Sequence, residues 1–532
     1  MNRVIASVHK KPDSWILCSL LFVLLLIYGR SLAGPFIWDD YSLIVNNPDI
    51  GNPWFFFSHS LYPSSPDSAL SYYRPLQALS YFLDFRIWRF HAAGYHLSNI
   101  LLHWLNAFLI FRFVKSVSES RWAGFLASLL FALNPVFTTS VTYISGRADL
   151  LLLFFVLLSL ASLKKFLQTR SLGFYACSMA FFICALLSKE SALLFPLLVF
   201  AYLAVFRNRK AGFEGFVPLA GYLGVAILFF LFRIQIFAGP GALLRFSPAS
   251  LWTAVQMPLR YLLLFFFPLD AYMGRSIPLA RSFFEPFTLA SVVFYGLVIY
   301  ASLRRLGKNP VVYFCGLWFF LSIVPLSLYD ILFGGTGSDI IMPDNNLYLA
   351  SLGLVFLAGY GLAPVVRGPK KAARFALVFV YCAFLAQGTV RANEIWRDEI
   401  LFYERLLERN SSSRSAYLIH GNLGLAYKRR GELKKAAKAY EKALAIKDDA
   451  DIHHNLGNVF LEAGRARDAR QEYLEALRLR PDFALSYIGL GLVYSQEGRP
   501  ELAREMFDKA MDLDPSDFQV RELVRDLIAA RD

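Results

Sequence analysis

The sequence predicts an all-α protein, a bundle of membrane-crossing helices followed by a solenoid of paired-helix repeats, and three observations carry that reading. Long uncharged apolar runs fill the first 390 residues; the mean hydropathy of +0.44 and the 50 phenylalanines among 532 residues are far above a soluble enzyme's range. The last 140 or so residues are charged and repeat themselves every 33 or 34 positions. Charge is also divided between the halves: residues 1–390 carry 30 Lys and Arg against 15 Asp and Glu, whereas residues 391–532 carry 24 against 25. The overall excess of +14 therefore belongs to loops flanking a membrane, and a nucleic-acid partner is not expected. All five cysteines (Cys18, Cys177, Cys184, Cys315, Cys382) lie inside apolar runs, which implies neither a disulfide framework nor a zinc site.

In chain order, the basic start (Arg3, Lys10, Lys11) precedes an apolar run over about 14–33. Its ending, Ser31-Leu-Ala-Gly34, imitates a signal-peptidase site, but the spans that follow favour an uncleaved anchor with its N-terminus in the cytoplasm. Residues 34–96 form the longest polar interval of the membrane half and are expected outside the cytoplasm. They open with Gly34-Pro-Phe-Ile-Trp-Asp-Asp-Tyr41. Two adjacent carboxylates, Asp39 and Asp40, beside Trp38 and just beyond a span are costly to desolvate unless a substrate, metal or basic partner uses them. The plainer reading is a helix cap or solvated turn. Later in the interval, Tyr72-Tyr-Arg-Pro-Leu76 begins an aromatic amphipathic stretch expected to lie flat at the interface.

The next run, about 97–114, places His96, Asn99, His103 and Asn106 on one helical face, since they are spaced by 3, 4 and 3 residues. Such a stripe faces the bundle or a wet cavity. Interhelical hydrogen bonding is the plainer reading for His103 and Asn106, and His96, nearest the outer surface, is the better site candidate. Further runs follow at about 122–143, 149–163, 173–187, 191–206, 216–237, 251–268, 283–303, 311–329, 347–366 and 373–390. The run 251–268 contains Pro258, Arg260 and Pro268 and is read as re-entrant or interfacial, which leaves about eleven spans. Basic clusters at 207–210, 304–308 and 367–374 then fall on the cytoplasmic side, with the C-terminal part outside. The predicted boundaries are a membrane domain over 1–390, a connecting helix in 391–415 and repeats over 416–532.

In the repeats, Leu-Gly recurs at 423, 456 and 490, an aromatic residue at Tyr427, Phe460 and Tyr494, glycine at 431, 464 and 498, and alanine at 436, 469 and 503. Tyr440, Tyr473 and Phe507 form one more series. This is the tetratricopeptide pattern, three units with Pro481 and Pro515 ending two of them and Asp448 standing where the first would have proline, plus a capping helix expected at about 517–530. Arrays of this kind bind peptides or serve as scaffolds.

Seven short motifs occur in order: Phe36-Ile-Trp-Asp-Asp-Tyr41, Tyr73-Arg-Pro-Leu76, Gly94-Tyr-His-Leu-Ser-Asn99 with His103, Asn134-Pro135, Ser145-Gly-Arg-Ala-Asp149, Leu187-Ser-Lys-Glu190 and Asn346-Leu-Tyr-Leu349. Followed by the repeats, they make the chain resemble the transmembrane and tetratricopeptide-containing O-mannosyltransferases, and more broadly the integral-membrane glycosyltransferases of the C fold. The resemblance implies transfer of mannose or another hexose from a polyprenyl or dolichyl phosphate donor to a hydroxyl acceptor such as protein Ser or Thr, with inversion, on the non-cytoplasmic face. A bacterial inner membrane is expected, or the endoplasmic reticulum in a eukaryote. Within that chemistry Asp39 is expected to act as base, with Asp40 orienting the acceptor or tuning its neighbour. Arg147, Lys189 and Arg74 are expected to bind the donor phosphate. Arg147 is the first choice, held in place by Asp149, and His96 and Glu190 support the site. A local Lys189–Glu190 ion pair and an Arg74 that merely snorkels are the plainer readings. No cofactor is required, although a divalent metal at Asp39 and Asp40 is possible chemistry. The expected partners are the lipid-linked sugar, membrane lipid and a protein or peptide acceptor in the repeat groove. A transporter, or a membrane-anchored repeat scaffold, are the competing classes.

Overall fold

The computed structural model describes residues 13–59, 61, 72–206, 215–237, 248–269, 273–304, 309–333, 339–365, 371–410 and 416–513. The basic clusters at 207–210 and 305–308, residues 367–370 of the third cluster and the capping helix expected at 517–530 lie outside the described residues. The chain packs as two units, 1–398 and 399–532.

The first unit is built from α1 (Ser14–Tyr28), α2 (Pro75–Trp88), α3 (Ala92–Ser118), α4 (Arg121–Leu133), α5 (Thr138–Val141), α6 (Arg147–Thr169), α7 (Leu172–Ser188), α8 (Phe195–Phe206), α9 (Val217–Phe237), α10 (Pro248–Phe266), α11 (Pro286–Arg304), α12 (Pro310–Phe333), α13 (Leu347–Val365) and α14 (Lys371–Ile395). A two-stranded antiparallel ribbon, β1 (Arg275–Pro278) with β2 (Asp339–Met342), pairs Arg275 with Met342 and Pro278 with Asp339. Among the described residues seven helical segments are long and apolar enough to cross a membrane, or eight if the segment bent by 54° at Asn134-Pro135 is one span. Three shorter apolar helices, Leu172–Ser188, Glu190–Phe206 and Pro286–Tyr300, accompany them.

Burial in this unit follows membrane logic. Leu228, Val293 and Leu377 are exposed on α9, α11 and α14, while the interior holds both apolar and polar side chains. The whole stripe of α3, His96, Asn99, His103 and Asn106, is buried. His103 Nδ1 lies 2.8 Å from Tyr348 Oη, and Asn106 donates to that hydroxyl and to the Leu150 carbonyl. Those bonds knit α3 to α6 and α13, as expected of polar groups that have no water to turn to. The same inversion marks α2, whose Gln77 and Asp84 point inward while Leu83 and Ile87 point outward. An interfacial helix with its apolar side toward lipid has this distribution.

The second unit begins with α15 (Glu399–Asn410) and continues as three helix pairs, α16 (Ala416–Arg429) with α17 (Leu433–Leu444), α18 (Ala450–Glu462) with α19 (Ala466–Leu479) and α20 (Ala484–Gln496) with α21 (Pro500–Leu513). The Leu-Gly signature has a steric cause: a Cβ on Gly457 would sit 2.7 Å from the Tyr473 ring of the partner helix. Gly464, in the turn between α18 and α19, has a φ of +73°, which a side chain would resist.

Candidate active site

The loop after α1 sets the two aspartates in different surroundings. Trp38 has a φ of +55°, a left-handed conformation that costs a non-glycine residue on the order of 1 kcal/mol or more. The turn it creates sends the Asp40 side chain inward. There Asp40 is 1% exposed, and its Oδ1 accepts from the Ser145 backbone N–H at 2.9 Å and the Ser145 hydroxyl at 2.5 Å, while Oδ2 accepts from the Ile37 N–H at 3.0 Å. Burial pushes the Asp40 carboxyl up to about 7; the Ser145 and Ile37 hydrogen bonds oppose that shift, and the neighbouring Asp39 charge adds to it. Asp39 is half-buried. Its backbone N–H donates to Tyr143 Oη at 3.3 Å, and the Tyr143 ring stacks on Trp396 with centroids 5.5 Å apart. Among the described residues no third His, Cys, Asp or Glu joins this pair in a cluster that could hold a metal ion.

The turn bearing Ser145 is held from α2. Gln77 Nε2 donates to the Ser145 carbonyl at 3.0 Å, and Tyr81 Oη donates to the Ile144 carbonyl at 3.1 Å. One turn earlier on that helix stands Arg74, which makes a two-pronged ion pair with Glu190, Nε to Oε2 at 2.9 Å and Nη2 to Oε1 at 2.5 Å. Arg74 is thus tied down and does more than snorkel. Lys189 pairs with Asp149 at 2.6 Å, so the adjacent Lys189 and Glu190 reach different partners and do not bond each other.

Arg147 departs from its expected place. It is 1% exposed, with Nε donating to Asn99 Oδ1 at 2.7 Å, Nη1 to the Ser80 carbonyl at 3.2 Å and Nη2 to the Tyr95 carbonyl at 3.0 Å. Its carboxylate is Asp84, 2.6 Å away, and not Asp149. With its donors engaged inside the protein, Arg147 cannot also grip a phosphate; it braces α2, α3 and α6 behind the Asp40 turn. His96 is likewise buried, against the Gly34 loop, and among the described residues neither ring nitrogen meets hydrogen-bond geometry.

A cation the sequence reading passed over completes the arrangement. Arg233, near the end of α9, is half-buried, and it acts electrostatically on Glu190 together with Arg74 and Lys189. It is the one charge between 217 and 234, and a lone charge in an apolar run is itself a sign of function.

A sequence profile described as dolichyl-phosphate-mannose-protein mannosyltransferase matches residues 76–234, and tetratricopeptide profiles match 424–464 and 454–518. Residues 76–234 thus carry a match to a mannosyltransferase family, and the C-terminal residues are tetratricopeptide repeats. Given its apolar helices, it is a multi-pass membrane protein. The matched region takes in Arg147, Lys189, Glu190 and Arg233, and begins after Asp39, Asp40 and Arg74. Among curated proteins, the chain is 35% identical to mouse protein O-mannosyl-transferase TMTC1 over 32% of its own length and 20% of that protein's. It is 28% identical to human protein O-mannosyl-transferase TMTC4 over 77% of its own length and 64% of that protein's, so it spans less than two thirds of either relative. Among solved structures, the crystal structure of MamA aligns at 21% identity with 24% of this chain and 72% of that one, at a TM-score of 0.22.

Proposed function

We propose that the protein is a glycosyltransferase that moves mannose, or another hexose, from a polyprenyl or dolichyl phosphate to a hydroxyl of a protein Ser or Thr on the non-cytoplasmic face, with inversion. The observation that carries this reading is the split pair of aspartates, whose Ser145 turn is held by Gln77, three residues from Arg74 of the cation cluster. Asp39 is half-buried and reachable, whereas Asp40 is locked into the turn that presents it. The acceptor oxygen attacks the anomeric carbon, the bond from that carbon to the phosphate oxygen breaks, and the hydroxyl proton passes to Asp39. The departing phosphate takes the bonding electron pair and is met by Arg74, Lys189 and Arg233, pre-set by Glu190 and Asp149. His96 supports the loop beside Gly34. The matched mannosyltransferase profile and the names of the relatives favour mannose and a protein acceptor. The tetratricopeptide repeats are assigned to capture of the acceptor peptide.

A second reading gives the base role to Asp40, which is buried beside Asp39 and whose carboxyl that burial holds up to about 7. Asp40's hydrogen bonds to Ser145 and Ile37 argue for a positioning role instead. The test uses purified full-length protein with polyprenyl phosphate mannose and a Ser/Thr-rich peptide, following release of polyprenyl phosphate and the mass gained by the peptide. Release and transfer that vanish in Asp39→Asn support the reading, and an inert wild-type protein across several lipid-linked hexoses would remove it.

A further inference from the structure

On the far side of the Trp396 contact lies a second charged site that the proposed reaction does not use. The last turn of α1 runs into a short 3-10 segment, Gly29–Ala33, and Arg30 there donates from Nη1 to Glu394 Oε1 at 2.9 Å. Arg397, just past α14, donates from its own Nη1 to the other oxygen of the same carboxylate at 3.1 Å. One glutamate thus holds two guanidinium groups together, and one positive charge is left over. The frame beneath is fixed: Asn393 donates to the Ile27 carbonyl at 2.9 Å and accepts from the Thr142 hydroxyl at 2.5 Å, tying α14 to α1 and to the turn before Tyr143. Gly29, Arg30, Leu32, Ala33 and Arg397 line an open depression of about 660 Å³.

Three features decide what such a depression would hold. The remaining N–H groups of both arginines point to no protein acceptor among the described residues, and Arg30 and Arg397 side chains are 66% and 45% exposed. Paired, half-neutralised guanidinium groups match a phosphate better than a carboxylate-bearing protein surface, because a tetrahedral anion accepts from both forks at once. Below it, toward the middle of α1, Phe22, Leu25 and Leu26 are exposed, as is Phe384 on the C-terminal half of α14. The site is therefore polar where the helices end and greasy where they continue, which is the profile of one amphiphile standing on end.

We propose that Arg30 and Arg397, clamped by Glu394, bind the phosphate of a bilayer glycerophospholipid whose chains lie along α1 and α14. The bound lipid would steady the α14 end, and with it the Trp396–Tyr143 stack that supports the Asp39 loop. This inference does not depend on the proposed transferase reaction.

The experiment is native mass spectrometry of the full-length protein in a delipidating detergent, titrated separately with phosphatidylglycerol, polyprenyl monophosphate and inorganic phosphate. Phosphatidylglycerol affinity should fall about tenfold or more in R30Q/R397Q, remain near wild type in R30K/R397K, and rise in Glu394→Gln because the leftover charge grows. The lysine pair separates loss of charge from loss of fold, and Glu394→Gln supplies a gain that misfolding cannot mimic. A double glutamine variant that binds phosphatidylglycerol as tightly as wild type overturns the proposal. So does a Glu394→Gln variant that binds it more weakly, or a loss confined to polyprenyl monophosphate or to inorganic phosphate.

Discussion

Asp40 makes the membrane unit's stability depend on pH in a direction opposite to that of most carboxylates. Its carboxyl is held up to about 7 from an ordinary 3.8, chiefly by burial, so the folded protein prefers the protonated form. The stabilising contribution is complete below about pH 4 and is lost as pH rises through 7. At 1.36 kcal/mol per unit, the whole span is worth roughly 4 kcal/mol, and the steepest slope is about 1.4 kcal/mol per pH unit. Asp40→Asn removes the titration while leaving an acceptor for Ser145, at a pH-independent cost of about 1–3 kcal/mol for the contact it cannot reproduce. Thermal unfolding of the detergent-solubilised protein, followed by tryptophan fluorescence from pH 5 to pH 8, should show wild type losing midpoint temperature as pH rises while Asp40→Asn stays flatter. Ser145→Ala should extend the wild-type decline to higher pH, because the Ser145 hydroxyl holds the Asp40 carboxyl down. If the difference between wild type and Asp40→Asn is constant across that range, the buried acid is not titrating and the reasoning fails.

Asp39→Asn should lower turnover by roughly 100-fold or more while donor binding survives, measured by polyprenyl phosphate release beside a donor-binding titration; near-normal turnover would pass the base role to Asp40. Arg233→Gln should lower turnover more than it raises the donor KM, and an unchanged rate would take Arg233 out of the cation cluster. Ending the chain after Asn410 should spare transfer to a small alcohol and weaken transfer to a peptide, and full-rate peptide transfer would strip the repeats of the acceptor role. In the repeats, His453 sits between Glu472 at 2.6 Å and Asp448 at 2.8 Å, and the Glu472 hydrogen bond leads in holding its imidazole above the usual range. Its stabilising effect is present below about pH 6.5 and lost as pH climbs past the raised value, so His453→Gln should speed hydrogen exchange in α18 and α19 of the full chain at pH 6 and change little at pH 9. Equal effects at both pH values would contradict that sign.

The elements read most directly were those with a period: the α3 stripe and the 33-to-34-residue repeat stand where the sequence puts them, because periodicity encodes which face is buried, whereas the run at 122–143 breaks at Asn134-Pro135 and, among the described residues, seven or eight segments are long enough to span against the eleven expected. Pairing of charges was the illegible part. Arg147 next to Asp149 invites a local bond, yet on the first turn of a helix residues two apart face different ways, and Arg147 found Asp84 across from α2. Lys189 and Glu190 are consecutive, and the chain is extended at Lys189, so one reaches Asp149 and the other Arg74. Proximity in sequence gave the wrong partner each time, since ion pairing here is settled by tertiary approach. Ser145 entered the sequence reading only as the first residue of the Ser145–Asp149 motif, without a role, and Tyr143 carried no signal of its own; Gln77 and Asp84, polar residues on an otherwise apolar interfacial stretch, hinted at an inward face.

Those pairings bear on how the proposed reaction would be driven. Among the described residues Arg74, Lys189 and Arg233 stand against Glu190 and Asp149, three positive charges to two negative. A lipid phosphodiester brings a single negative charge and matches that excess. During transfer the proton of the acceptor hydroxyl neutralises Asp39, while the leaving phosphate, now a monoester, gains up to one more negative charge. Total charge is conserved but moves from the carboxylate end of the site to the cation end, and the cations therefore interact more strongly with the transition state than with the bound donor. A neutral Asp40 serves the same end: below about pH 7 it places no second negative charge beside Asp39. The burial that makes Asp40 costly to ionise is thus what would spare the proposed base a like charge at its side.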